Sequence, residues 1–447
     1  MTQSKTSPAP TQLKILFFNV FINITGFAII IPLFPALLNY YFPENGVDNG
    51  IFSHLMIWLR QVASQASPDD PIATTAVFFG CFLGALYGFL QFIFAPIWGH
   101  LSDYFGRKII LKITMAGTVL AMILWVFSGT FEILVISRVL AGVMAGSLAV
   151  ANASVADITS KQNRTKGMAV FGIAFGLGFL IGPAIGGILT QFSPLTYFPQ
   201  LESLGINPFS AAAALSTFLW LGNLIWIHYK FPETLAKNKR SQELILMNKG
   251  SFIGIFCNQK ASILRTNLTN FVFMVAFSGM EFTLPFLAAD RFNFKSHDIG
   301  YLFLYIGFIL ILTQGMIVRR LAPIVGERNL CFLGILSGIV SLMVTGVSYE
   351  FTPFLIGTTF LALSIGLISP SIAALVSLYS TESEQGKDIG ILRSAGALAR
   401  ASGPIVAAFL YFYMGAKMTY VSASLILIIP LALILTLPKP DKNEVLL

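Results

Sequence analysis

Charge is what this sequence has least of. Of its 447 residues only 11% are Asp, Glu, Lys or Arg, while 55% are hydrophobic. A soluble globular chain carries about 25% charged residues, so a water-facing surface over the whole molecule is excluded. Cysteine is nearly absent: Cys81 and Cys331 fall in apolar runs and Cys257 in a basic loop, which excludes a disulfide framework. Histidine is scarce, and His100 and His297 fall in loops. No metal-ligand spacing, nucleotide-binding loop or nucleophile–base pair is visible. No metal, no cofactor and no catalytic residue are therefore expected, and an enzyme or an ATP-driven pump is disfavoured. The net charge of +8 does not point to nucleic acid, because the basic residues gather in loops on one side of the hydropathy pattern.

What the chain does have is long apolar runs. Twelve of them, from about 14–38 to about 416–437, approach or exceed the ~20 residues that cross a bilayer. Each is expected to be helical, because lipid offers the backbone no hydrogen-bond partners. The fold class is thus an all-α membrane protein of twelve transmembrane helices, whose 41 Phe suit contact with lipid. The first run is too long for a signal-peptide core and lacks a cleavage site, so it reads as a retained helix. With both termini inside, 21 Lys and Arg fall on inner segments and 4 on outer ones, which sets cytoplasmic termini. A monomer in a bacterial inner membrane is expected, with an organellar membrane as the alternative.

A polar stretch, 230–266, divides the chain into residues 1–229 and 267–447, six spans each. An internal repeat accompanies the division. Gly106 pairs with Gly326 and Gly146 with Gly366 at an offset of 220, and Gly182-Pro183 pairs with Gly403-Pro404 at 221. Pro32 pairs with Pro285 at 253, the excess matching a long outer loop at 39–73. Within that loop Ile51, Phe52, Leu55, Met56, Leu59 and Val62 recur at helical spacing. They predict an amphipathic helix, lying either on the outer interface or as a cap on the bundle.

Between the second and third runs stands Gly99-His100-Leu101-Ser102-Asp103-Tyr104-Phe105-Gly106-Arg107-Lys108. Gly99 and Gly106 allow a sharp turn, and Asp103 can pair with Arg107 across it. The segment resembles the loop signature of the major facilitator superfamily at Gly99, Leu101, Asp103, Gly106, Arg107, Lys108 and Leu111. It departs from it at Tyr104, where a basic residue is usual. The resemblance implies two six-helix halves that rock around a central cavity. It also implies a conformational latch formed by Gly99, Asp103, Gly106, Arg107 and Lys108.

Four charged residues fall well inside spans, where charge is costly and by default functional. Glu281 is the only acidic one well inside a span. It reads as a proton carrier or as a static partner of Arg138, Arg393 or Arg400. Arg393 and Arg400 stand seven residues apart, on one helical face. Together with Arg138 they leave the cavity net positive, which favours an anionic or zwitterionic substrate. Arg138 could instead snorkel to the outer interface, and Arg393 could reach headgroups. Asn19, Asn23, Thr25, Gln91 and Gln314 are candidate cavity donors, or bonds between helices. In the fifth run, Gly178, Gly182-Pro183, Gly186 and Gly187 would let helices approach closely and bend.

That glycine pattern resembles the signature of the antiporter branch of the superfamily, which implies export in exchange for protons. The segment around Arg138 is similar to another antiporter motif, whose arginine is tied to proton coupling. Leu90-Gln91-Phe92, Val155-Ala156-Asp157-Ile158-Thr159 and Phe231-Pro232-Glu233-Thr234-Leu235 look like tetracycline exporters. Phe277–Leu284 and Leu392–Pro404 resemble the tetracycline-transporter-like proteins of animals, a group associated with organic-anion efflux. The exporters' acidic sites do not carry over: Asn23 stands where they have aspartate, and the third span is apolar near Leu120. Tetracycline is therefore not an expected substrate. The expectation is a proton-coupled exporter of amphipathic organic anions. A lipid or siderophore exporter is the first alternative, and a non-transporting receptor or scaffold the second.

Overall fold

The structure is a computed structural model that describes residues 10–42, 54, 57–58, 61, 71–159, 164–235, 240, 260–380 and 385–439. Among them every regular element is helical, as a chain with no polar solvent for its backbone requires. Ten membrane spans come in order: α1 (Thr11–Tyr41), α2 (Val77–Phe105), α3 (Arg107–Val126), α4 (Phe131–Val155), α5 (within helix Arg164–Leu189), α6 (Ser210–Lys230), α7 (Ala261–Phe292), α8 (Ser296–Val325), α9 (Glu327–Val347) and α10 (Phe351–Tyr379). The last helical stretch, Asp388–Leu435, is 48 residues long. Gly415, at φ 71° and ψ 173°, breaks its helical path. It therefore supplies two spans, α11 (388–414) and α12 (416–435), and brings the number among the described residues to twelve.

The chain divides into two compact units. The first comprises Met1–Ile30 and Phe89–Lys249, the second Ile31–Gly88 and Gly250–Leu447. In the first, α5 lies on α1 and α3 packs on α4 and α6. In the second, α9 packs on α10, and α7 packs on the α11–α12 stretch. The C-terminal end of α1 and the N-terminal part of α2 belong to this second unit, where Phe34 stacks on Phe282 and Phe286 of α7.

The repeat read from spacing has a structural counterpart within each unit. Gly106 ends α2 at φ 107° and ψ 151°, and Gly326 ends α8 at φ 84° and ψ 154°. Both need a glycine, because a Cβ disfavours positive φ. A Cβ on Gly182 of α5 would stand 2.7 Å from the Thr25 carbonyl oxygen of α1. One on Gly403 of α11 would stand 2.7 Å from the Val275 carbonyl oxygen of α7. The α1–α5 and α7–α11 contacts are thus built the same way, by bringing backbone against backbone.

Two local expectations are corrected. Gly99 does not turn the chain: it lies inside helix Pro71–Phe105, with open space where a side chain would be. The reversal falls wholly on Gly106, because nothing before it breaks the helix. α7 begins at Ala261 rather than near 267, because Thr266, Asn267, Thr269 and Asn270 are buried within it. The amphipathic helix expected within 39–73, the stretch 230–266 and Cys257 lie for the most part outside the described residues. Of that loop, His54, Ile57, Trp58 and Gln61 are helical, and Ile57 and Trp58 are exposed.

Candidate functional site

The first unit carries a charged knot at the α2–α3 turn. Arg107 is 6% exposed. Its guanidinium meets Asp103 Oδ1 at 2.7 Å, Asp157 Oδ2 at 2.9 Å and Ser102 Oγ at 2.6 Å. One planar fork thereby ties the end of α2 to the end of α4. Glu233, just beyond α6, completes the knot. Its carboxylate accepts the backbone N–H of Arg107 at 2.9 Å and of Lys108 at 3.3 Å. These are among the N–H groups that the first turn of a helix leaves without an intrahelical partner, and a carboxylate there also meets the positive end of the helix dipole. Arg240 stands 3.7 Å from the same carboxylate. A Cβ on Gly106 would come within about van der Waals overlap of it, at 2.4 Å from Oε2. Asp103 and Arg107 are paired as the spacing predicts. Glu233 was missed, because its partners lie about 126 positions away in sequence.

Also in the first unit, Arg138 is buried on α4. Its guanidinium lies over the Trp125 ring of α3, 4.5 Å from the centroid, and donates to Ser137 Oγ at 3.1 Å. Asn23 directs its amide to Ser147 Oγ, and Asn223 donates to Asn19 at 2.9 Å. These amides bond helix to helix. Gln91 is half-buried on α2. On α5, Gly178, Gly182 and Gly186 each face carbonyl oxygens of α1, at Phe21, Thr25 and Ile29. Pro183 and Gly187 are buried in the same helix.

The second unit holds Glu281, Arg393 and Arg400. Glu281, on α7, is 3% exposed, and its Oε2 has no hydrogen-bond partner among the described residues. Arg400, on α11, lies within electrostatic reach of Glu281, of Arg393 and of Tyr87. Arg393 is half-buried, and its Nε is without a hydrogen-bond partner among the described residues. The α7–α11 contact sets this arrangement: Gly279 and Gly403 bring the helices together, and Ser278 Oγ donates to the Arg400 carbonyl at 3.3 Å. Asn270, one helical face with Glu281, lies against Gly396 between the two arginines. Sequence reading did not single it out. Gln314 stands apart, half-buried in a π-helical turn, Thr313–Val318 of α8. No group of His, Cys, Asp and Glu fit to hold a metal occurs among the described residues.

Two helical bundles that repeat one packing scheme, with ionisable side chains inside their spans, define a secondary carrier of the membrane. The chain belongs to the Major Facilitator Superfamily, whose profile matches residues 16–347 and 320–446. It is similar to major facilitator superfamily domain-containing protein 10 of Homo sapiens, with 28% identity over 98% of this chain and 95% of that protein. It is also similar to the class E tetracycline resistance protein of Escherichia coli, with 28% identity over 88% of this chain and 86% of that protein. Among solved structures, that of the human organic anion transporter MFSD10 (TETRAN) matches with a TM-score of 0.76 at 26% identity. The match covers 97% of this chain and 100% of that one.

Proposed function

We propose that this carrier exports amphipathic organic anions in exchange for protons, by alternating access. The observation that carries the reading is the buried Glu281 carboxyl with an unpartnered oxygen, set within reach of Arg400. An intramembrane carboxyl beside an arginine has two stable conditions. It is either ionised or protonated. Exchange follows if the two cargoes alternate: the anion is held by Arg400 and Arg393 while Glu281 is ionised and is released on the far side, and a proton then loads Glu281 for the return. Arg138 is assigned an accessory role toward the anion, and Asn23, Gln91 and Gln314 a polar one. Asp103, Gly106, Arg107 and Lys108 form the latch that holds one conformation, now without Gly99. The small-residue stripe of α5 holds α1 in place for the exporter cycle.

The basic ends of the spans are placed in the cytoplasm, and the carrier is taken as a monomer. The relatives support the substrate class, since one is titled an organic anion transporter and another a tetracycline resistance protein. The test uses purified protein in liposomes with an internal pH-sensitive dye. Organic anions, cations and lysolipids are added under an imposed proton gradient. Proton movement triggered by anions and abolished in Glu281→Gln is the expected result. Anion flux without proton movement refutes the coupling, and proton movement triggered by lysolipids alone moves the substrate to lipids.

A further inference from the structure

The link from α5 to α6 has an unusual composition for a loop between spans. Residues 190–209 contain no Lys, Arg or His and one acidic residue, Glu202. Large apolar and aromatic residues recur through it instead. Tyr197 is 71% exposed, and Phe192, Phe198 and Leu204 are each more than half exposed. Single exposed apolar residues need no explanation. Four within 13 residues of one folded link form a patch, and such a patch marks a surface that meets something other than water.

The patch is not the accident of a loose loop. Pro194–Tyr197 form a helical turn and Pro199–Leu204 a 3₁₀ stretch, which Gly205 closes at φ 83°. Residues three apart eclipse each other in a 3₁₀ helix, so Leu201 and Leu204 fall in one row and Gln200 and Ser203 in another. The C-terminal part of the link is fastened to the end of α3. Asn207 Nδ2 donates to the Ser128 carbonyl at 2.9 Å and to Ser128 Oγ at 3.1 Å. Asn207 Oδ1 accepts the Phe209 N–H at 2.8 Å, and Ser210 Oγ donates to the Val126 carbonyl at 2.6 Å. Gly205 lies so close to the α3–α4 turn that a Cβ on it would stand 2.7 Å from the Phe127 carbonyl oxygen. Asn207 and Ser210 are buried, while Tyr197 and Phe198 are not. The link hides polar groups and presents rings, the reverse of an edge that faces water.

Its place in the fold says what covers it. The link starts where α5 ends, after Leu189, and stops where α6 begins, at Ser210. The ends of spans lie where hydrocarbon gives way to head groups. The apolar surface continues on both neighbours: Phe218 and Leu221 are exposed on α6, and Phe127 is exposed where α3 ends beside the link. Exposed apolar side chains of a spanning helix meet lipid, so the patch prolongs a lipid-facing surface. We infer that Phe192–Leu204 lie on the bilayer as an interfacial anchor, with the rings of Phe192, Tyr197 and Phe198 at the boundary of head groups and acyl chains. Tyr197 has the amphipathic ring such a boundary selects, and Phe198 and Leu204 supply apolar area. The absence of Lys and Arg sets the class of partner: a phospholipid surface of any head-group charge, since no cation is there to draw anionic lipid. The anchor fixes the depth at which this end of the first unit sits.

Fluorescence quenching tests the anchor with the full chain in phosphatidylcholine liposomes. The background is Cys257→Ser, whose remaining Cys81 and Cys331 are buried. Tyr197→Cys, Leu204→Cys and Ser203→Cys are each labelled with a nitrobenzoxadiazole dye. All three positions are exposed, so the fold tolerates the change. One quencher is a phosphatidylcholine with a nitroxide near the top of its acyl chain, and the other is aqueous iodide. The dyes at 197 and 204 are expected to be quenched at least about twofold more by the lipid than by iodide, and the dye at 203 in the opposite order. The same pattern is expected when phosphatidylglycerol is added, and a pattern that appears only then overturns the charge-independent partner. Dyes at 197 and 204 that iodide quenches as it does the dye at 203 place the link in water and overturn the anchor. Dyes at 197 and 204 that neither quencher reaches show the patch covered by protein, from this chain or a second copy, and overturn it as well.

Discussion

The α1–α5 contact makes a sharp quantitative prediction. A Cβ placed on Gly182 would lie 2.7 Å from the Thr25 carbonyl oxygen and 2.8 Å from Ala28 Cβ. Carbon atoms rest at about 3.5–4.0 Å, so Gly182→Ala requires α1 and α5 to separate by ~0.7 Å. Backbone cannot swing aside as a side-chain end can, and Gly178 and Gly186 meet α1 in the same way, so the strain is shared along the stripe. The expected loss is about 1–3 kcal/mol, the usual range for overpacking. Gly403→Ala, which meets Val275 and Gly279 of α7 at 2.7 and 3.0 Å, should behave alike. Gly222→Ala has no neighbour within 4 Å and should shift stability by no more than about 0.5 kcal/mol. The assay is unfolding of the purified protein in mixed micelles with rising dodecyl sulfate, followed by tryptophan fluorescence. Gly182→Ala and Gly403→Ala unfolding together with Gly222→Ala would refute the close packing and, with it, the structural basis of the repeat.

Two further outcomes concern the charged knot. Glu233→Ala removes the acceptor for two backbone N–H groups at the start of α3 and should cost about 1 kcal/mol, while Glu233→Gln keeps an acceptor, loses only the charge, and should cost about 0.3–1 kcal/mol; the same unfolding assay reads the order. Arg107→Lys replaces a fork by a point charge that cannot meet Asp103, Asp157 and Ser102 at once, so turnover should fall about tenfold or more with substrate affinity unchanged, as measured by flux and binding on the same preparation.

The spans were legible because their signal is local: a run of apolar residues reports its own environment. The turn at Gly106 was legible as well, since positive φ and an i,i+4 ion pair both sit within a few residues. Gly99 misled because a glycine in a polar segment looks the same whether the helix has ended or not. Glu233 was hidden for the opposite reason, its partners being distant in sequence. Asn270 was hidden by composition, since a run of Thr and Asn at the edge of an apolar stretch reads as the end of a span. Only the packing of α7 on α11 reveals it as interior. Asn23 shows the reverse case: its type marks a polar contact, and only its partner, Ser147, tells that the contact is between helices.

Gly106 and Gly326 share one backbone shape and not one circumstance. At the first, Asp103, Asp157 and Glu233 close around Arg107. At the second, no described atom lies within 4 Å of where a side chain would begin, and Pro323 and Glu327 occupy the places of Asp103 and Arg107. The repeat preserves the bend and not its surroundings, so a backbone path can be inherited while the side chains around it are chosen anew at each turn.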